Sequence, residues 1–128
     1  MSANEAQLKY IDNQDSFLEF IEECASSDVL GIDTEFIRER SYYPNLCLIQ
    51  VANRKEAYII DPFCIDDLTP LKRIFENKSI VKIFHAGSQD LEIIKHDIDA
   101  IPDPIFDVQI AASVLGMSYQ AGLSSVLS

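Results

Sequence analysis

Val29-Leu30-Gly31-Ile32-Asp33-Thr34-Glu35-Phe36 decides how this chain is read, because it is an apolar, β-favouring run with two carboxylates inside it. Side chains alternate between the faces of a strand, so Asp33 and Glu35 share one face as neighbours while Ile32 and Thr34 point the other way. Adjacent like charges repel. A chain gains no stability from placing them together at the end of an apolar strand unless something positive sits between them. A divalent cation is the natural third party, and ligation by oxygen alone points to Mg²⁺ or Mn²⁺ rather than Zn²⁺. A bare Asp-x-Glu pair is more often a strand end facing solvent, so its weight comes from what flanks it.

Outward from this strand the pattern is α/β. Before it lie a short extended segment, Leu8 to Ile11, and a helix from about Asp15, capped by Asn13 or Asp15, with Phe17, Leu18, Ile21, Cys24 and Ala25 on one face. After it, Leu46 to Val51 and Ala57 to Ile60 are strands joined by the polar loop Asn53-Arg54-Lys55-Glu56, which predicts an antiparallel hairpin closed by Asp61-Pro62. Thr69-Pro70 opens a helix that buries Leu71, Ile74 and Phe75. Ile80 to Phe84 is a further strand, leading through His85-Ala86-Gly87 into a helix that Ser88 can cap and that carries Asp90, Leu91, Ile94 and Lys95. Ile105-Phe106 is extended, and Asp107 is read as the cap of a last helix through Val108, Ile110, Ala111, Val114 and Leu115, with Gly116 after it. Hairpin pairing first and crossover pairing later predict a mixed sheet flanked by helices.

The 128 residues, 48% hydrophobic and 24% charged, are those of one globular domain rather than a disordered or repetitive chain. No apolar run is long enough for a membrane span, and the start lacks a signal-type stretch, which gives a soluble, cytoplasmic expectation. Cys24, Cys47 and Cys64 are odd in number and widely spaced, so they read as buried thiols and not as a disulfide framework or zinc site. The net charge of −11 argues against a protein that holds nucleic acid by neutralising phosphates over a broad surface. Carboxylates that hold divalent cations invert the local field, so attraction for a polyanion is then confined to one cleft.

Several ordered motifs together resemble ribonuclease D, of the DEDD superfamily of 3′-5′ exonucleases with a ribonuclease H-like fold. They are Gly31 to Phe36, Tyr42-Tyr43-Pro44 with Leu48-Ile49-Gln50, Ile60-Asp61-Pro62, His85-Ala86-Gly87-Ser88-Gln89-Asp90-Leu91-Glu92, and Phe106-Asp107-Val108-Gln109-Ile110-Ala111-Ala112. The resemblance implies hydrolysis of the terminal phosphodiester of a single-stranded RNA 3′ end by two Mg²⁺ or Mn²⁺ ions. It places Asp33 and Glu35 in the first exonuclease motif and Asp90 in the second, as metal ligands and catalytic residues. By the same analogy Thr34 and Phe36 lie against the last nucleotide and His85 is a substrate contact, although Phe36 serves a core equally well. Asp90, in the first turn of a helix, is explained nearly as well by the helix dipole, and Asp107 better by capping than by ligation. Arg38 and Arg40 are candidate phosphate contacts, though such a pair is more often a solvated face.

The chain departs from the family at its third motif, a tyrosine followed four residues later by aspartate. Tyr10, Tyr42, Tyr43, Tyr58 and Tyr119 are followed by Gln14, Leu46, Cys47, Pro62 and Leu123. Residues 1–128 are therefore expected to be an exonuclease domain incomplete at its C-terminus, truncated before the last helices and weak or inactive as it stands. Ala121 to Ser128 reads as the start of a helix through which copies of the chain associate. Two rival readings share the scaffold: an endonuclease of ribonuclease H type, and a non-catalytic acidic interaction module.

Overall fold

The computed structural model describes residues 7–37 and 45–115. Six strands form one sheet, in the order β1-β4-β3-β2-β5-β6. They are β1 (Gln7–Ile11), β2 (Val29–Ile37), β3 (Asn45–Ala52), β4 (Glu56–Ile60), β5 (Val81–Phe84) and β6 (Ile105–Asp107). The helices are α1 (Gln14–Cys24), α2 (Leu71–Phe75), α3 (Ser88–Ile98) and α4 (Val108–Val114). The predicted hairpin is β3–β4, whose turn is fixed by Asn53: its side chain accepts the N–H groups of Lys55 and Glu56 at 2.8 and 2.7 Å. Strands β2, β3 and β4 are antiparallel neighbours, whereas β1 joins β4, and β5 and β6 join β2, in parallel. The mixed sheet is the one expected.

Alternation along the strands gives the sheet two unlike faces. Leu30, Ile32 and Thr34 of β2, Ile49 and Val51 of β3, Tyr58 and Ile60 of β4, and Lys82 and Phe84 of β5 are all buried on one side. Helices α1, α2 and α3 complete that core with Phe17, Phe20 and Ile21, with Leu71, Ile74 and Phe75, and with Ile93, Ile94 and Ile98. The other face carries Gly31, Asp33, Glu35, Gln50, Ala52 and Ile83, none of them buried.

Local chemistry corrects several expectations. Asn13 caps α1 by accepting the Ser16 N–H at 2.8 Å, so the helix starts at Gln14 rather than Asp15. Phe20 is buried on its inner face, while Leu18 is left exposed. A ring 4.8 Å from that of Tyr58, edge on, fills more of the space over the sheet than Leu18 does from its angle on the helix. Thr69 does not cap α2; Asp67 ties down its N–H and hydroxyl, and the helix is only the five residues 71–75. Ser88 does not cap α3 either, since Gly87 holds that position and no side chain bonds the first turn. Strand β5 begins at Val81, one residue later than read.

Of the three thiols, only Cys24 is buried; Cys47 is half-buried and Cys64 exposed. Burial, with Glu23 and Glu56 nearby, pushes the Cys24 pKa up to about 12. The thiolate is the nucleophile, and although Asp61 also raises the Cys64 thiol, alkylation of the native protein at pH 8 is expected to label exposed Cys64 and to label Cys24 roughly 10²-fold more slowly or not at all. Peptide mass spectrometry against time reads this directly, and equal labelling would show that α1 does not stay packed on the sheet.

Candidate active site

Strand β2 runs beside β3 through Ile37, but its pairing with β5 covers only Val29 to Gly31. Beyond Gly31 the β5 side of this strand needs another hydrogen-bond acceptor. Asp90 provides it. Its Oδ1 accepts the Thr34 N–H at 3.1 Å and also the Thr34 hydroxyl, both in the buried interior. An aspartate in the first turn of α3 thus stands where the next residue of a longer β5 would have stood, which explains why a carboxylate only 6% exposed is tolerated there.

Asp33 and Glu35 lie on the open face, both exposed, and neither bonds to another described residue. A bulge follows at once: Glu35 faces Leu48 but Phe36 faces Leu46, so Cys47 is the extra residue of β3. Such an irregularity twists the strand end that carries the pair. Asp90 feels the other two carboxylates. Burial is the largest cause pushing the Asp90 carboxyl above the usual range; the Thr34 hydrogen bonds oppose it, and the charges of Asp33 and Glu35 add to it.

A concavity of about 420 Å³ opens on the same face, lined by Gly31, Asp33, Gln50, Ala52, Ile83 and His85 among others. Asp33 and His85 therefore share one hollow. Thr34 is buried with its hydroxyl committed to Asp90, and Phe36 is partly buried against the core; neither lines the hollow. Arg38, Arg40, the Tyr42-Tyr43-Pro44 motif, Gly116, Tyr119 and the segment Ala121 to Ser128 lie outside the described residues.

Among the described residues, no three of the His, Cys, Asp and Glu side chains are gathered into a group that holds a metal ion unaided. The chemistry of the donors nevertheless suits a hard dication: two neighbouring exposed carboxylates without a cationic partner among the described residues, and a third that spends Oδ1 on Thr34. Sequence reasoning missed the Thr34–Asp90 link and a second set of bonds made by Asp107. Asp107 caps α4 as read, through Gln109 N–H and Ile110 N–H, and also accepts the N–H groups of Ala86 and Gly87 at 3.0 and 2.7 Å. No spacing rule signals a bond across 20 residues; the parallel pairing of Phe84 with Asp107 creates it.

Residues 8–128 match the family model described as 3′-5′ exonuclease, and the chain belongs to that family. Within it the chain is ribonuclease D-like, with the ribonuclease H-like sheet. Ribonuclease D of Zymomonas mobilis is 53% identical to it over 103 residues, 79% of this chain and 26% of that protein. The crystal structure of Escherichia coli RNase D, described as an exoribonuclease involved in structured RNA processing, matches with a TM-score of 0.87 at 36% identity, over 96% of this chain and 32% of that one. Brucella melitensis NrnC, solved with bound Mg²⁺, matches with a TM-score of 0.74 at 25% identity, over 94% of this chain and 59% of that one. The chain spans about a third or less of the length of the curated relatives it matches. Among the described residues no helix is long and apolar enough to cross a membrane.

Proposed function

We propose that this chain carries the first two acidic motifs of a cytoplasmic 3′-5′ exoribonuclease, which removes nucleotides from a single-stranded RNA 3′ end. The observation that carries the reading is the Asp33/Glu35 couple on an open sheet face, without a bonded partner among the described residues, with Asp90 close enough for both charges to raise its pKa. Asp33 and Glu35 are the residues that hold Mg²⁺ or Mn²⁺, and Asp90 contributes through its remaining oxygen. A bound dication supplies Lewis acidity to the phosphate and a readily ionised water. In the reaction a bond forms between water oxygen and phosphorus as the bond from phosphorus to the 3′ oxygen breaks. That oxygen takes up a proton, leaving a shortened chain and a nucleoside 5′-monophosphate.

His85 lines the same hollow as Asp33, which supports reading it as a contact to the phosphate or sugar of the last nucleotide. Thr34 acts there indirectly, by fixing Asp90, while Phe36 packs against the core. The sequence holds no Tyr-x-x-x-Asp. A missing group that orients the water is worth about 10²–10⁴ in rate, so the 128-residue polypeptide itself is expected to trim slowly.

The test uses 5′-labelled linear RNA and a circle of the same sequence with Mg²⁺ or Mn²⁺. Laddering of the linear RNA from its 3′ end, with circles intact, is the expected result. Cut circles would make the chain an endonuclease of ribonuclease H type, and silence on both together with no Mn²⁺ binding that depends on Asp33 would favour the interaction module.

A further inference from the structure

Capping α4 explains only half of what Asp107 does. Its Oδ1 accepts Gln109 N–H at 3.0 Å and Ile110 N–H at 3.4 Å, which is the ordinary work of an N-cap. The same oxygen accepts Ala86 N–H at 3.0 Å and Oδ2 accepts Gly87 N–H at 2.7 Å, so two successive amides of the β5–α3 loop end on a residue of another strand. Ala86 sits at φ 54°, a left-handed conformation that a non-glycine residue adopts only at a cost. Gly87 passes so near Phe84 that a Cβ on it would stand 2.5 Å from the Phe84 Cβ. The first turn of α3 has no side-chain cap. Burial works against charge on Asp107, yet the four amide hydrogen bonds prevail and hold its carboxyl below the usual range, so it is an anion when it does this.

What the loop fixes is the start of α3. Leu91 N–H bonds the Gly87 carbonyl at 2.9 Å, one residue past Asp90, and Asp90 in turn reaches Thr34 in β2. We propose that Asp107 is a positioning residue: through the amides of Ala86 and Gly87 it sets where α3 begins, and so where the Asp90 carboxylate stands beside Asp33 and Glu35. The proposal rests on the reading of those three carboxylates as the metal site, and it adds a residue that meets neither metal nor substrate.

Asp107→Asn removes one loop bond and spares the cap, because its amide oxygen still serves the α4 cap and the Ala86 N–H while its NH₂ group turns a donor toward the Gly87 amide. Asp107→Ser, a good cap too short to reach the loop, is the second variant. Two readouts are taken on each: amide hydrogen exchange at Thr34, whose N–H is held by Asp90, and the Mn²⁺ dissociation constant at equilibrium. Thr34 exchange is expected to quicken at least tenfold while the central amides of Ile49 and Val51 keep their protection, and Mn²⁺ binding to weaken about tenfold, as for residues that orient metal ligands. Unchanged Thr34 exchange in both variants overturns the proposal, as does a uniform loss of protection across the sheet. If Mn²⁺ binding by the unaltered chain does not depend on Asp33 while Thr34 still loosens in both variants, the positioning stands and the nuclease reading falls. If binding depends on Asp33 yet neither readout responds to the variants, the reverse holds.

Discussion

Asp33→Asn is expected to abolish Mn²⁺ binding and lower 3′ trimming by about 10³-fold, with no fall in the melting temperature. Asparagine keeps the shape of the side chain and one oxygen, but it removes the charge that a hard dication requires of its ligand. Lewis-acid stabilisation by a bound ion is worth several kcal/mol in the transition state, and each ~1.4 kcal/mol is tenfold in rate. Stability moves the other way, if at all. Asp33 is exposed and has no partner among the described residues, so its neutralisation breaks no bond and relieves repulsion with Glu35. Asp90→Asn is the companion: its Oδ1 still accepts from Thr34, so β2 and α3 stay joined while the third charge goes. Isothermal titration with Mn²⁺, RNA laddering and thermal unfolding on the same samples make the comparison. Carboxylates that are mere surface charge would leave titration and trimming unchanged in both variants, and that result removes the nuclease reading.

Legibility in the sequence tracked how local the governing physics was. Strand alternation is a period-two rule, so Asp33 and Glu35 were placed on one open face from their spacing alone, and the hairpin followed from a polar four-residue loop between apolar runs. The resemblance carried what spacing does not, above all that Asp90 belongs with a pair 55 residues upstream of it at its nearer member. Caps were less legible. Ser88 and Thr69 have the chemistry of a cap, but tertiary bonds set the starts of these helices: Asp107 holds the loop before α3, and Asp67 holds Thr69. The inner face of α1 was misassigned at Leu18 because helical periodicity fixes a stripe and not its centre, which packing against Tyr58 decides in favour of Phe20. Thr34, on the opposite face from the acids by alternation, is the residue that ties their strand to Asp90, partly through a backbone amide that side-chain patterns never mention.

Lys82 gave no signal as anything but a charged interruption of β5, and its replacement is expected to be the costliest to the fold. It is fully buried, and its Nζ donates to the carbonyls of Asn77 at 2.6 Å, Ile80 at 2.7 Å and Asp103 at 2.9 Å. Burial pulls its pKa below the ordinary lysine value, with the Asp103 charge opposing and that of Lys78 adding to the fall. Three acceptors take three protons, which a charged ammonium has and a neutral amine lacks. The knot joins the turn before β5 to the Asp103-Pro104 segment before β6, where the Lys82 N–H also bonds the Pro104 carbonyl at 3.0 Å. Lys82→Met keeps the stem's volume and leaves the three carbonyls without this donor. Because each buried carbonyl left without its donor costs about 1–3 kcal/mol, against a total stability of roughly 5–15, the melting temperature should fall by ~10 °C or more. β6 leads directly into Asp107, so partial loosening of the variant should speed amide exchange at Gly87 before it reaches Ile49 in the central strand. A loss below about 1 kcal/mol in urea unfolding would show that water replaces the ammonium at little cost, and that the β5–β6 edge is held by its backbone ladder alone.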